Sequence, residues 1–253
     1  DDKDIIVDEG ETDEVSLIIS PTGNIRTKVV DDDNLLSEET IKNLSVFLTE
    51  PSSTTIVAKY IHYNFKTIDD DHKMVILPLK AVDVKQKDIY IGANHDDVDM
   101  LNSYTTVSNL KNLPTPQTGN YNPLIPENGF PMFGATMNFD FSISNQATVT
   151  LVRTVPKMRI KLTFPDSQYL GTNNSFRIQK AAKYTTISSE GTLAIPDDAY
   201  YDYNSDIAFT ANSTQEYAAT AYLYESGVIP ILNLQSFLDN KIQTFSLRLP
   251  LPI

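Results

Sequence analysis

The chain has 253 residues, of which 41% are hydrophobic and 21% charged, and this is the composition of an ordinary globular protein rather than of a disordered or fibrous one. Its formal net charge of −13 opposes contact with phosphate backbones, so nucleic acid is not expected as a partner. The absence of cysteine excludes disulfide bonds, thiolate metal sites and a cysteine nucleophile. No apolar run approaches the ~20 residues that a membrane-spanning helix needs.

Short segments of alternating apolar and polar residues follow an acidic start. Residues 15–20 (Val-Ser-Leu-Ile-Ile-Ser) place Val15, Leu17 and Ile19 on one face at the two-residue period of a β-strand. The same period and β-forming composition predict further strands at residues 44–48, 56–65, 73–79, 88–93, 136–144, 147–155, 157–164, 176–186, 208–210, 216–224 and 244–249. Turn-forming residues separate these segments, which favours antiparallel packing.

Helical periodicity is weak along the chain. The best helix candidate is the segment 96–113, and a second, short candidate is 232–239. The sequence therefore predicts an all-β protein whose cores take alternate residues of each strand, and its length against ~100–200 residues per domain predicts two domains. The residues expected to be buried are Leu44, Val46, Leu48, Ile89 and Ile91 in the first domain, and Met158, Ile160, Leu162 and Phe164 in the second domain or at the junction of the two.

Motifs that carry chemistry are lacking. The chain has neither a glycine-rich phosphate loop nor a nucleophile elbow. His72 and His95 stand beside runs of aspartate, but such runs between strands are more typical of solvated loops than of converging metal ligands. We therefore expect no catalytic residue, no cofactor and no metal. One tyrosine-rich turn, with Tyr200, Tyr201 and Tyr203, has side chains of the kind that stack against a sugar ring.

Six segments resemble, in order, a known family. They are the strand at 15–20 followed by a loop with Arg26, then Ile-Lys-Asn-Leu-Ser-Val-Phe-Leu at 41–48, Ile-Tyr-Ile-Gly-Ala-Asn at 89–94, Phe-Pro-Met-Phe-Gly at 130–134, Val-Thr-Leu-Val-Arg-Thr-Val-Pro-Lys-Met at 149–158 and Ala-Tyr-Leu-Tyr-Glu-Ser at 221–226. Each motif is short, and their order and spacing give the match its specificity. Together they resemble the fimbrillin families of the Bacteroidales, which comprise major fimbrial subunits of type V pili and their anchor and tip relatives.

The resemblance implies a fold and a role. The fold would be two transthyretin-like antiparallel β-sandwiches, the first over residues 1–147 with the acidic leader and the first strand, and the second, shortened, over residues 148–253. The role would be that of a non-enzymatic structural subunit (shaft, tip or anchor) of a cell-surface fimbria that supports adhesion. Partners would be other fimbrial subunits and a host or bacterial surface receptor. The acidic start also resembles the export tag of outer-membrane lipoproteins, which implies a lipid anchor upstream of the chain.

The resemblance also implies a mechanism. In the family a trypsin-like protease cuts after an arginine in the loop that follows the first strand, and the matching bond here joins Arg26 to Thr27. The cut would release the first strand so that another subunit's strand can replace it. The residues of that strand are Val15, Ser16, Leu17, Ile18, Ile19 and Ser20. The alternative function is that of a carbohydrate-binding surface lipoprotein that uses Tyr200, Tyr201 and Tyr203.

Overall fold

In the computed structural model the regular secondary structure of the described residues is almost entirely β-strand, which confirms the prediction of an all-β protein. It describes residues 12–21, 40–69, 72–80, 85–115, 128–153, 155, 157–163, 175–179, 181–188, 190–191, 200–201, 207–208, 210–211, 216–222, 224, 231–238 and 241–248. Helices in this part of the chain are limited to α1 (Val98–Ser103) and α2 (Val107–Lys111). None of the described helices is long and apolar enough to cross a membrane.

The chain forms two compact units. The first unit comprises Asp1–Leu110 and Met132–Val152, and the second comprises Lys111–Pro131 and Arg153–Ile253. The strands of the first unit are β1 (Thr12–Pro21), β2 (Leu44–Thr49), β3 (Ile56–Tyr60), β4 (Lys66–Thr67), β5 (Lys73–Lys80), β6 (Gln86–Ala93), β7 (Met132–Asp140) and β8 (Gln146–Arg153). The predicted division between residues 147 and 148 stays a prediction, and strand β8 is continuous through that position.

The strands of the first unit form one eight-stranded sheet in the order β3-β2-β6-β7-β8-β1-β5-β4. The Tyr60 hydroxyl on β3 donates to the carbonyl oxygen of Pro78 on β5, at 3.2 Å. Because β3 is one edge of the sheet and β5 lies next to the other edge, this bond shows that the sheet curls until its ends approach each other. The inner faces of its strands then share a single hydrophobic core.

That core takes alternate residues of each strand, as the period of two requires. The predicted core positions of the first half are all buried, namely Leu44, Val46, Leu48, Ile89 and Ile91, and Val15, Leu17 and Ile19 join them. From strands β5, β7 and β8 the same core receives Val75, Leu77, Met132, Ala147, Val149 and Leu151. The prediction of these core residues from sequence alone is confirmed.

Two neighbouring strands, β2 and β6, are buried on both faces. Every residue of β2 is buried, and so is every residue of β6 after Gln86. Phe47 and Tyr90 therefore lie buried on the side opposite to the main core. The segment that contains the helices is tied to the start of β3, because the Ile56 amide donates to the Thr105 carbonyl and the Val107 amide to the Thr54 carbonyl.

The predicted helix at 96–113 is only partly formed. The Asp97 carboxylate caps α1 by accepting from the Met100 amide, as a short helix start requires. The helix ends before Tyr104, whose backbone is extended. Thr106 then forms a bridge to Thr55, so the backbone between the two helices is used for strand-like pairing. The continuous helix was wrong because tertiary pairing outweighs a weak helical period.

The second unit contains β9 (Lys157–Thr163), β10 (Ser175–Gln179), β11 (Ala181–Ala182), β12 (Tyr200–Tyr201), β13 (Ile207–Ala208), β14 (Thr210–Ala211), β15 (Glu216–Tyr222), β16 (Ile231–Leu238) and β17 (Lys241–Arg248). They form sheets in the orders β13-β10-β16-β17, β14-β15-β9 and β11-β12. Of the core residues predicted here, Ile160 is half-buried. Phe164 and the side chains of Met158 and Leu162 lie outside the described residues.

The predicted helix at 232–239 was wrong, because that segment is strand β16. It pairs antiparallel with β17 from Leu238 opposite Lys241 back to Ile231 opposite Arg248. The two strands are consecutive in the chain, so they form a β-hairpin. The hairpin supplies backbone partners along the whole segment, which a helix of eight residues would have to find within itself.

Candidate functional site

Strand β1 lies in the interior of the sheet of the first unit. It pairs antiparallel with β5, where Leu17 lies opposite Val75, and parallel with β8, where Leu17 lies opposite Ala147. Both neighbours are distant in sequence, so β1 is held by strands with which it shares no hairpin. The strand predicted at residues 15–20 is confirmed and is longer at both ends.

The side chains of β1 alternate between two environments. Val15, Leu17 and Ile19 are at most 1% exposed and belong to the core, whereas Ser16 and Ile18 between them are half-buried on the outer face. Because these three side chains are fully buried, β1 is one of the strands on which the core depends.

Backbone pairing occupies both sides of β1. The Ser16 amide donates to the Asn145 carbonyl just before β8, at 2.7 Å, and the pairing with β8 continues from there to Pro21 opposite Leu151. On the other side, the pairing with β5 runs from Thr12 to Ile19. If β1 left the sheet, the facing backbone groups of β5 and β8 would lose their partners, and an unpaired strand edge is a template for another strand.

The remaining residues singled out from the sequence are placed as follows. Arg26, Thr27 and Tyr203 lie outside the described residues. Tyr200 and Tyr201 form β12 and pair with Ala182 and Ala181, while their side chains are also outside the description. The cleavage and sugar-contact roles therefore stay predictions.

A buried carboxylate links two segments of the first unit, and no local pattern of residues predicted it. Asp88 is fully buried, and it accepts hydrogen bonds from the backbone amides of Ser52, at 3.0 Å, and Asn138, at 2.7 Å. Both donors have positive φ angles, 60° and 54°, a conformation that the carboxylate helps to hold. Next to it, the Lys87 ammonium, which is 2% exposed, contacts the Glu50 carboxylate at 2.7 Å.

The histidines bond within or between loops. His62 Nε2 contacts the His95 carbonyl at 2.8 Å, and the His95 amide donates to Asn43 Oδ1 at 3.1 Å. His72 Nδ1 contacts the exposed Asp69 carboxylate at 2.8 Å. Within the described ranges, no group of three or more metal-ligating side chains is assembled.

Comparison with known proteins bears on this fold. No family model and no curated protein sequence matches the chain. Among solved structures, a proposed cell adhesion protein from Bacteroides ovatus ATCC 8483 matches 94% of this chain and 87% of its own, with a TM-score of 0.54 and 10% identity. A proposed adhesin from Bacteroides ovatus matches 92% of this chain and 77% of its own, with a TM-score of 0.51 and 14% identity.

This chain has the fold of those two Bacteroides proteins. The fimbrial anchor protein Mfa2 from Porphyromonas gingivalis also matches, over 87% of this chain and 76% of its own at 10% identity, but its TM-score of 0.43 is too low to bear on the fold. The resemblance expected from the sequence motifs is thereby confirmed at the level of the fold. At sequence identities of 14% and 10%, these two matches show a shared fold and nothing about function.

Proposed function

We propose that the chain is a structural subunit of a cell-surface fimbria, assembled by strand exchange through β1 and supporting adhesion. The observation that carries the proposal is the placement of β1, an interior strand held only by β5 and β8, which lie far along the chain. Such a strand can leave the sheet as a unit. The gap that it leaves has the shape and bonding pattern of an extended segment, which is the requirement for adding a strand from another chain.

The energetics favour replacement over an empty gap. Burying Val15, Leu17 and Ile19 stabilises by roughly 1.5–3 kcal/mol each. The sum, about 5–9 kcal/mol, is comparable with the whole stability of a typical domain. A first unit without β1 should therefore be unstable until another strand fills the gap, and a chain that retains β1 should not exchange.

The finer parts of the proposal follow the family resemblance. A cut between Arg26 and Thr27 would free residues 1–26, which include the whole of β1. The proposal also includes two transthyretin-like sandwiches divided near residue 147. It further includes a lipid anchor at the outer membrane and other fimbrial subunits as partners. The subunit would have no catalytic activity.

The experiment is to cut the folded protein and then to refill the gap. Mild trypsin should nick first at Arg26–Thr27, and Arg26→Gln should remove that nick. Where trypsin does not reach the bond, an inserted site for a specific protease between residues 26 and 27 produces the same cut. The cut chain should then exchange β1 for an added synthetic peptide that covers residues 12–21, detected by mass spectrometry of the native complex.

Two variant peptides make the test specific. A peptide with Leu17→Asp would bury a charge and should fail to bind, whereas a peptide with Ile18→Asp carries the same charge on the outer face and should still exchange. Equal binding of the two peptides would show that the buried side chains of β1 do not determine which peptide fills the gap. Cut protein that keeps its own β1 against a large excess of unaltered peptide would refute strand exchange.

A further inference from the structure

The departure of β1 would divide the sheet of the first unit into two groups of strands. In the order β3-β2-β6-β7-β8-β1-β5-β4, the last two strands are joined to the first five by backbone pairing through β1. That pairing runs from β5 to β1 on one side and from β1 to β8 on the other. In an open sheet, β5 and β4 would lose their lateral pairing to the remaining strands as soon as β1 left.

The curl of the sheet supplies a second connection between the two groups, on the side away from β1. The Tyr60 hydroxyl on β3 donates to the Pro78 carbonyl oxygen on β5, at 3.2 Å. Strand β4 does not separate these two residues, because it pairs with Lys73 and Met74 at the start of β5. With this contact the strands close into a ring, and a ring that loses one member remains a single connected piece.

Both residues suit this contact. A proline has no amide to offer a neighbouring strand and is tolerated at a sheet edge, where the Pro78 carbonyl bonds to Tyr60 instead. Tyr60 pairs with Val46 on β2, so its backbone belongs to the larger group of strands. Its ring packs against the main core and meets the ring of Tyr63 edge-on, with the two centroids 5.4 Å apart. The donor is therefore held from the β3 side of the ring.

We propose that Tyr60 is a positioning residue for strand exchange, which holds β5 at the distance from β8 that an incoming strand needs while β1 is absent. The inference rests on the proposed function. A strand that fills the gap must pair with β5 and β8 at once, and these lie two strand spacings apart, about 10 Å. With the gap filled, β1 itself holds β5, so the contact acts mainly in the empty state. Its loss should slow the entry of a strand and leave its departure unchanged.

The first test measures the entry and departure of a labelled peptide that covers residues 12–21 in the cut chain. Tyr60→Phe keeps the ring and removes the donor, so the association rate should fall about fivefold, as the loss of one net hydrogen bond predicts, while the dissociation rate stays the same. Tyr63→Phe removes a hydroxyl from the neighbouring ring and Pro78→Ala keeps the carbonyl, so both should retain the unaltered rates. A hydroxyl that merely stabilised the whole unit would instead raise the dissociation rate and lower the urea midpoint of the intact chain.

The second test measures the width of the gap. Ile76 and Gln146 flank Ser16 on its two sides. Because the chain has no cysteine, spin labels at Ile76→Cys and Gln146→Cys report on this distance alone. With β1 in place, the label distance should be the same with Tyr60 and with Tyr60→Phe. After mild denaturant displaces β1 from the cut chain, the distribution should stay narrow with Tyr60 and broaden with Tyr60→Phe.

The two proposals fail in different ways. If the unaltered cut chain takes up no peptide, strand exchange is wrong, and the role of Tyr60 is then decided in the uncut chain with Leu17→Asp, which expels β1 by placing a charge in the core. Equal label distributions with Tyr60 and with Tyr60→Phe, or a distribution that broadens with Tyr60 in place, would overturn the positioning role. An association rate that falls equally with Tyr63→Phe would also overturn it.

Discussion

Replacing Leu17 by alanine tests how strongly β1 holds the first unit together. Leu17 is 0% exposed and lies between Val75 and Ala147 in the sheet. Truncation of a buried leucine typically costs about 2–5 kcal/mol, and the cost rises where the neighbours cannot close the gap. Backbone pairing fixes β1 on both sides, and Ala147 is too short to fill the space. We therefore expect a loss in the upper part of that range, about 3–5 kcal/mol.

The assay is unfolding in urea, followed by the fluorescence of the 13 tyrosines, since the chain has no tryptophan. With a slope of about 2 kcal/mol per molar, the expected loss moves the midpoint down by roughly 1.5–2.5 M urea. Because the chain has two compact units, hydrogen exchange of β1 and β5 measured by mass spectrometry assigns the shifted transition to the first unit.

The matched control is Ile18→Ala, which removes the same number of carbon atoms from the next residue along the strand. Ile18 is half-buried on the outer face, so its truncation leaves no closed cavity and should cost no more than about 1–1.5 kcal/mol. Equal losses for the two variants would refute the reasoning, because they would mean that the inner face of β1 contributes no more than its outer face does.

Three further predictions concern other positions. Asp88→Ala should lower the free energy of unfolding by about 1–3 kcal/mol, since it removes the acceptor of the Ser52 and Asn138 amides, and Asp88→Asn, which keeps one acceptor, should lose less; equal losses in thermal unfolding would contradict this role of the carboxylate. Gly134→Ala would place a Cβ 2.2 Å from the Thr150 carbonyl oxygen and should cost about 1–3 kcal/mol, whereas Ala135→Ser on the exposed side should be neutral in the same measurement. Burial raises the pKa of Tyr224 above its usual 10.0, against a smaller lowering by a hydrogen bond with Thr115, so the folded chain keeps a proton that the unfolded chain gives up. The stability that this proton contributes is fully present below the pKa of Tyr224 in the unfolded chain, and it is lost as the pH rises through the pKa of Tyr224 in the folded chain. Tyr224→Phe should therefore flatten the dependence of the melting temperature on pH in this range, and an unchanged slope would refute the prediction.

The local pattern was informative wherever one face of a strand meets the core. The alternation in residues 15–20, 44–48 and 88–93 predicted which side chains enter the main core, because a period of two leaves a strand only one way to turn its apolar face inward.

The sequence by itself determined that the chain is all-β, which residues of β1, β2 and β6 enter the core, and which family it resembles. The tertiary structure alone decided that β1 lies between β5 and β8, that Phe47 and Tyr90 are buried on a second face, and that the Asp88 carboxylate has two amide partners. The physical reason is that alternation is a property of a single strand and is visible in consecutive residues. Strand order, the covering of a second face and the satisfaction of a buried charge depend on groups far apart in the chain, and no local period records them.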